Sequence, residues 1–335
     1  MADTDDLLLR LMLSDATFLT TKEKTLLQQN LAAPAQFAAM ALSDICAIVN
    51  RTIKRAAWNG AESLKKAQYA QNIIGALGIC WTAWDLADFP AMLTEMPDPP
   101  YLLFYRGNLD ALKNPCVSVV GTRRATVGAR KATEAFAKDA AEDGCTIVSG
   151  LAYGVDSHAH KGSLLSARGQ TAAVLPTGID IITPVAHKKL AARLLEKGGV
   201  LVSEYMPGTP AQNFRFVQRN RIIAALSPVT VVTQAPAGSG ALITADYALE
   251  YGRDVMLHAE CFSADAGLVE QANVCALQNQ AAHGKNVTHK LASSVQKYRD
   301  DGAPIIASYA EYKACRAAAP GTVFCKRDDG QGRLF

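Results

Sequence analysis

Charge is scarce in this chain of 335 residues: Asp, Glu, Lys and Arg supply 19% of it and aromatic residues 7%, against about 25% charged in an average soluble domain. With 49% apolar residues, this composition excludes global disorder. Long apolar runs are absent as well. None reaches the roughly 18 residues of a membrane span, and the opening MADTDDLLLRLMLSDAT is acidic before it is apolar, unlike a secretory signal. A cytoplasmic protein with no membrane contact is expected. There is no C-x-x-C pair and no zinc-type Cys/His spacing, so Cys46, Cys80, Cys116, Cys145, Cys261, Cys275, Cys315 and Cys325 read as free, mostly buried thiols. Nor is the chain a polycation, with 34 basic against 31 acidic residues. Its net charge is −3 over residues 1–100, +4 over 101–260 and +2 over 261–335. That split is ordinary surface variation unless the basic residues converge on one groove.

At about 150 residues per domain, the length suggests two domains. Apolar residues recur at helical spacing from Asp5 to about Ala87, as in Leu8, Leu9, Met12 and Leu13, or Phe37, Met40, Ala41 and Ile45. Residues 1–88 are therefore expected to form a small all-α domain. Thr20 with Glu23, and Ser43 with Asp44, are candidate helix starts. Prolines 90, 97, 99 and 100 fix extended geometry and remove donors, so residues 89–100 read as a linker.

The texture then changes to β-branched runs separated by helix-length stretches: CVSVV (116–120), TIVS (146–149), TAAVL (171–175), VLVS (200–203), VTVVT (229–233) and DVML (254–257). Strands apolar at nearly every residue are buried on both faces, and helical crossovers between them make a parallel sheet. The fold class expected is α/β, a doubly wound, mostly parallel sheet over 101–290. Residues 291–335 form a C-terminal extension, with a frayed KRDDGQGRLF end. Ligands in such sheets bind where the loops leave the C-terminal strand ends.

Those loops carry the candidate chemistry. The first strand runs into Gly121, Thr122, Arg123 and Arg124 ahead of a helix, whose free amides and guanidinium neighbours suit an anion; a solvated turn is the bland alternative. The second ends at Ser149 and Gly150, with Asp156 placed to cap the helix of His158 and His160. Two histidines that close diverge on a helix, so no metal is expected. Lys188 and Lys189 follow the third strand. After the fourth come Phe214, Arg215, Phe216, Arg219, Asn220 and Arg221, rings among guanidinium groups that suit stacked bases beside phosphates. Alternatively the rings are core, and Arg219 and Asn220 brace the loops. Gly238, Ser239 and Gly240 lead into another helix and offer a second array of amides facing the first.

Several chemistries lack their parts. G-x-G-x-x-G spacing is missing after the first strand, no acid ends the second, and no Walker A lysine occurs. Nucleoside-monophosphate phosphoribohydrolases carry a Glu after a glycine loop on a similar sheet, but here Thr244 stands at that place. No local nucleophilic triad fits. The loops look built to hold a polyanion and not to cut one.

Taken together, DFP…DPPYLLFYRGN, VVGTRRAT, IVSGLAYGVDSHAH, AVLPTGID, LVSEYMPGT, FVQRNRIIAALS and GSGALITADYALEYGRDV resemble, in order, the motifs of the DNA-processing protein A (DprA/Smf) family. The match covers roughly Asp88 to Val255. The resemblance implies an extended Rossmann domain, without cofactor or metal and not an enzyme. Such a domain binds single-stranded DNA, self-associates as a dimer and helps load the RecA recombinase in natural transformation. It also implies that Arg123, Arg124, Gly150, Lys189, Arg219, Arg221 and the loop Gly238–Gly240 line the DNA groove. The N-terminal helices look like the helix-hairpin-helix or SAM-like unit that often precedes this domain. The chain departs from the family where MLHAECFSADAG stands in place of a Val-Pro-Gly segment and glycine-rich loop, and residues 261–335 lack a winged-helix pattern. A nucleotide-ligand sensor or a nucleoside-monophosphate phosphoribohydrolase is the competing reading.

Overall fold

A computed structural model describes residues 4–54 and 56–318, so Cys325 and the KRDDGQGRLF end lie outside the described residues. The chain forms two compact units. The smaller is built from the chain up to Arg106 with Leu175–Ile182 and Val202–Arg215; the larger takes Gly107–Val174, Thr183–Leu201 and the chain from Phe216 on.

In the smaller unit, α1 (Thr4–Asp15), α2 (Thr21–Asn30), α3 (Pro34–Ala39), α4 (Leu42–Val49) and α5 (Gly60–Leu77) follow in sequence. Leu11, Met12, Leu13, Leu27, Phe37 and Ile45 are fully buried among them. The Thr20 start is as expected: its hydroxyl accepts from the Glu23 amide while the Glu23 carboxylate accepts from the Thr20 amide, a reciprocal cap. Ser43 is not a cap, because α4 begins one residue earlier and Asp44 accepts from the Ala41 amide. Gly78 ends α5 in the left-handed region, φ 58°. Buried Arg10 forks onto both oxygens of Asp85 at 2.7 and 2.9 Å.

Two departures from the sequence reading follow. β1 (Cys80–Ala83) lies inside the stretch expected to be helical, and it pairs antiparallel with β2 (Leu102–Gly107). The proline-rich segment between them is packed, since it contains α6 (Ala91–Thr94) and buries Phe89, Leu93 and Met96. Those side chains anchor it where the prolines alone suggested a tether.

The larger unit runs β3 (Cys116–Gly121), α7 (Val127–Glu142), β4 (Thr146–Ser149), α8 (Val155–Leu165), β5 (Gln170–Val174), α9 (Lys188–Glu196) and the start of β6 (Val200–Ser203). Then come α10 (Asn213–Ala225), which belongs to this unit from Phe216 on, β7 (Val229–Gln234), α11 (Gly240–Glu250), β8 (Asp254–His258), α12 (Ala264–Ala282), α13 (Thr288–Ala292), α14 (Val295–Asp300), β9 (Ile305–Ile306) and α15 (Tyr309–Ala317). Its strands pair in parallel in the order β5-β4-β3-β7-β8-β9. All six β-branched runs form strands, buried on both faces as their composition requires except at exposed Asp254, and Leu175 falls just past β5. β9 lies beyond residue 290 yet continues the sheet, with Leu257 opposite Ile305. Tyr309 and Tyr312 then meet the Phe136 ring edge-on, each at 5.7 Å. Residues 305–317 are thus part of the α/β core.

From β3 the chain winds outward through β4 and β5, then returns to β7 on the other side of β3 and winds the opposite way. The loops leaving β3 and β7 therefore diverge. The β3–β7 pairing also slips between Val120 and Gly121. A crevice at this switch point follows from topology alone.

Candidate functional site

A cleft of about 460 Å³ opens at that point, lined by Gly121–Arg124 after β3, Pro236 and Gly238–Ala241 after β7, Ala152 and Asp156 after β4, and the α10 face of Phe216, Val217, Arg219 and Asn220. Its first wall is built by Gln234 at the end of β7. The Gln234 carbonyl accepts from the Thr122 amide at 2.7 Å and its side-chain oxygen from the Thr126 amide at 2.9 Å. Thr122 Oγ1 accepts from the Arg124 amide, and Thr126 Oγ1 caps α7 through the Ala129 amide. Gly121 has no room for a side chain, because a Cβ would stand 2.5 Å from Val155 Cγ2. Arg123 and Arg124 are exposed, and the Arg123 guanidinium lies 5.1 Å from the Phe216 ring centre.

The second wall differs from the expectation of two facing amide arrays. The Ala237 amide donates to Glu270 Oε2 at 2.7 Å, Gly238 to the Ser293 carbonyl at 2.9 Å and Ser239 to the Pro236 carbonyl at 2.9 Å. With the Thr122, Arg124 and Thr126 amides also spent inside the protein, most of the cradle's donors are occupied. The cleft's capacity for an anion thus rests on side chains, chiefly Arg123 and Arg124, with Asn220, whose amide nitrogen also donates to the Gly240 carbonyl at 3.2 Å.

The floor is a buried charge pair. Arg219 Nη1 donates to the Gly150 carbonyl at 2.7 Å and to the Val174 carbonyl. Asp156 Oδ2 accepts from the Gly150 and Ala152 amides at 3.2 and 3.4 Å. Burial raises the Asp156 carboxyl above its ordinary range, and the charge of Arg219 opposes that shift. Asp156 is thus no helix cap; α8 starts after Gly154 without a side-chain cap. It reaches back to hold the loop. Gly150 is a glycine because of Arg219, whose guanidinium atoms would lie 2.5–2.6 Å from any Cβ there.

The same loop turns at Leu151, which sits in the left-handed region at φ 57°. The Leu151 amide donates to His160 Nε2 at 3.3 Å, and its carbonyl accepts from His187 Nδ1 at 2.7 Å. Thr171 gives its hydroxyl proton to the Ile147 carbonyl, so it accepts from His160 Nδ1 at 2.7 Å and fixes the neutral tautomer. Burial pushes His160 down to about 3. His158 turns instead to Glu134 at 2.7 Å, and among the described residues no cluster of His, Cys, Asp or Glu could hold a metal.

Of the residues expected at the site, Gly121, Thr122, Arg123, Arg124, Arg219, Asn220, Gly238, Ser239 and Gly240 meet at the cleft. Ser149 does not; it is buried, its hydroxyl spent on the Val119 carbonyl at 2.7 Å. Gly150 serves Arg219 behind the lining. Arg219 and Arg221, expected to line the DNA groove, are both buried: Arg219 braces the loops, the alternative reading of that residue, and Arg221, two positions on and so turned to another side of α10, lies outside the cleft lining at the start of the continuously buried run Arg221–Ala225. Phe214 is exposed in the smaller unit beside Arg215, 5.3 Å from ring to guanidinium. Lys188 and Lys189 are exposed at the start of α9, off the lining. Ala152, Val217 and Asn273 line the cleft without having been singled out; Asn273 comes from the Ala- and Gln-rich α12, which carries no motif. The cysteines are less buried than expected, with Cys80 and Cys275 exposed.

The sequence profile of the DNA recombination-mediator protein A family matches residues 80–299. Among curated proteins, the DNA processing protein DprA of Streptococcus pneumoniae is 44% identical over 167 residues, 50% of this chain and 58% of that one. Protein Smf of Synechocystis is 43% identical over 175 residues, 51% of this chain and 44% of that one. The chain spans about half the length of the curated relatives it matches. The X-ray structure of DNA processing protein A from Streptococcus pneumoniae superposes with a TM-score of 0.64 at 29% identity, over 91% of this chain and 95% of that one. Fold, motif order and profile agree: the chain belongs to the DNA recombination-mediator protein A family.

Proposed function

We propose that the switch-point cleft binds single-stranded DNA and does not cut it. The observation that carries this reading is the pairing of Arg123 with Phe216 beside exposed Arg124: a guanidinium over a ring offers one phosphate contact and one stacking face within a single residue's reach. Duplex DNA hides its base faces, whereas a single strand presents them. A binder without catalysis is favoured by the lining, in which Asp156 is the single carboxylate among the described residues and already accepts two amides. Thr244, which stands where the phosphoribohydrolase pattern carries its Glu, lines the cleft as well.

Family membership supports the finer reading that a dimer of this chain, in the cytoplasm, passes bound strand to the RecA recombinase in natural transformation. The smaller unit's helices α1–α5 are read as an accessory module. A competition assay separates binder from small-ligand enzyme: a labelled oligothymidylate is displaced by unlabelled oligothymidylate or by thymidine monophosphate, with release of free base followed in parallel. Displacement by the oligonucleotide at far lower concentration, without base release, is the expected result. Equal displacement, or released base, overturns it.

A further inference from the structure

The loop from Ser149 to Gly154 is held more firmly than its length requires. Asp156 takes the Gly150 and Ala152 amides, His160 takes the Leu151 amide, Arg219 holds the Gly150 carbonyl and His187 the Leu151 carbonyl. The loop keeps a leucine at φ 57° and ends on Gly154 at φ 74°, where a Cβ would stand 2.2 Å from the Thr122 carbonyl of the cleft's first wall. Strain and buried polar groups of this kind persist where the surroundings over-determine a geometry. The residue they display is Tyr153, 50% exposed. Its ring meets His187 edge-on, 4.9 Å between centres and 66° between planes. Its neighbour Ala152 lines the cleft, and exposed Lys188 and Lys189 directly follow His187.

We propose that Tyr153 is a base-stacking platform at the rim of the cleft, with Lys188 and Lys189 holding the flanking phosphates; this rests on the single-strand reading above. A strand leaving the Arg123–Phe216 wall passes Ala152 and lays one base on the Tyr153 ring. The clamped backbone holds that ring in place before the base arrives, so little freedom is lost on binding. Any base has a face to stack, so the platform is indifferent to sequence. It also gives Lys188 and Lys189, which stand off the cleft lining, a place on the strand's path.

The test uses the full chain and fluorescence anisotropy with two labelled probes of equal length, an oligothymidylate and an abasic phosphodiester strand. Tyr153→Ala is expected to weaken oligothymidylate binding about tenfold, with an unchanged salt slope and no loss on the abasic strand, while Tyr153→Phe binds as wild type. Lys188→Ala with Lys189→Ala is expected to weaken both probes and flatten the slope. If wild type binds oligothymidylate and Tyr153→Ala binds it equally, or loses equally on the abasic strand, the platform is refuted and the cleft reading stands. If wild type binds neither probe, both fall.

Discussion

Replacing Gly150 with alanine should damage the larger unit far more than the size of a methyl group suggests. An ideal Cβ at residue 150 would stand 2.5 Å from Arg219 Nη1 and 2.6 Å from both Cζ and Nη2. The guanidinium is buried, fixed by the Gly150 and Val174 carbonyls and facing Asp156, so it cannot swing into solvent. Overpacking costs about 1–3 kcal/mol, and loss of a charge-assisted hydrogen bond about 1.5–3 kcal/mol. Together they amount to about 2.5–6 kcal/mol. Chemical denaturation followed by far-UV circular dichroism reads this as a lowered midpoint. Gly240→Ala is the control, since no atom lies within 4 Å of its Cβ, and its midpoint should stay near that of wild type. Because the two groups share one clash, Gly150→Ala added to Arg219→Ala should cost little beyond Arg219→Ala alone. A Gly150→Ala midpoint matching the control would refute the assignment of Arg219 as the brace of this loop.

Two further perturbations test other parts of the architecture. Thr20→Ala removes the hydroxyl that accepts from the Glu23 amide and leaves the Glu23 carboxylate, held down to about 2 chiefly by Arg51, on the residue-20 amide; a loss of about 1 kcal/mol is expected, and an unchanged melting profile would contradict the cap. Folded His160 sits at about 3 against 6.5 for the free side chain, so the unfolded chain binds the extra proton between these values and stability falls as pH drops through that window. Asp156, raised above 3.8 by burial, acts in the opposite sense, so the comparison is between variants: from pH 7 to 4 the wild-type melting temperature should fall more steeply than that of His160→Gln, and parallel curves would refute the buried neutral imidazole.

The strands from β3 to β8 were legible because burial on both faces forces uninterrupted β-branched runs, and the switch point followed from their order. β1, β2 and β9 were not. β1 is four residues long, β2 follows a proline cluster, and β9 is two residues that take their identity from pairing with β8. At the site, the glycine loops identified the two walls, but a glycine does not reveal who takes the neighbouring amides. Glu270 and Ser293 lie 33 and 55 residues from their partners Ala237 and Gly238, and α12 bears no pattern that announces it. Arg219 and Arg123 look alike as letters. Only the buried apolar run Ile222–Leu226 beside Arg219 hints that its charge is spent internally, while Arg123 on a loop stays exposed. Tyr153 was hidden for the opposite reason, because one tyrosine between glycine-rich motifs has no periodicity to read.

The central claim is that exposed Arg123 and Arg124 supply phosphate contacts while buried Arg219 supplies none. Titrating salt against oligothymidylate affinity measures this directly, because each neutralised phosphate contributes about −0.7 to the log–log slope on a single strand. Arg123→Ala with Arg124→Ala should bind more weakly with a slope shallower by about 1.4 and an unaltered melting temperature; an affinity and slope equal to wild type would contradict the account.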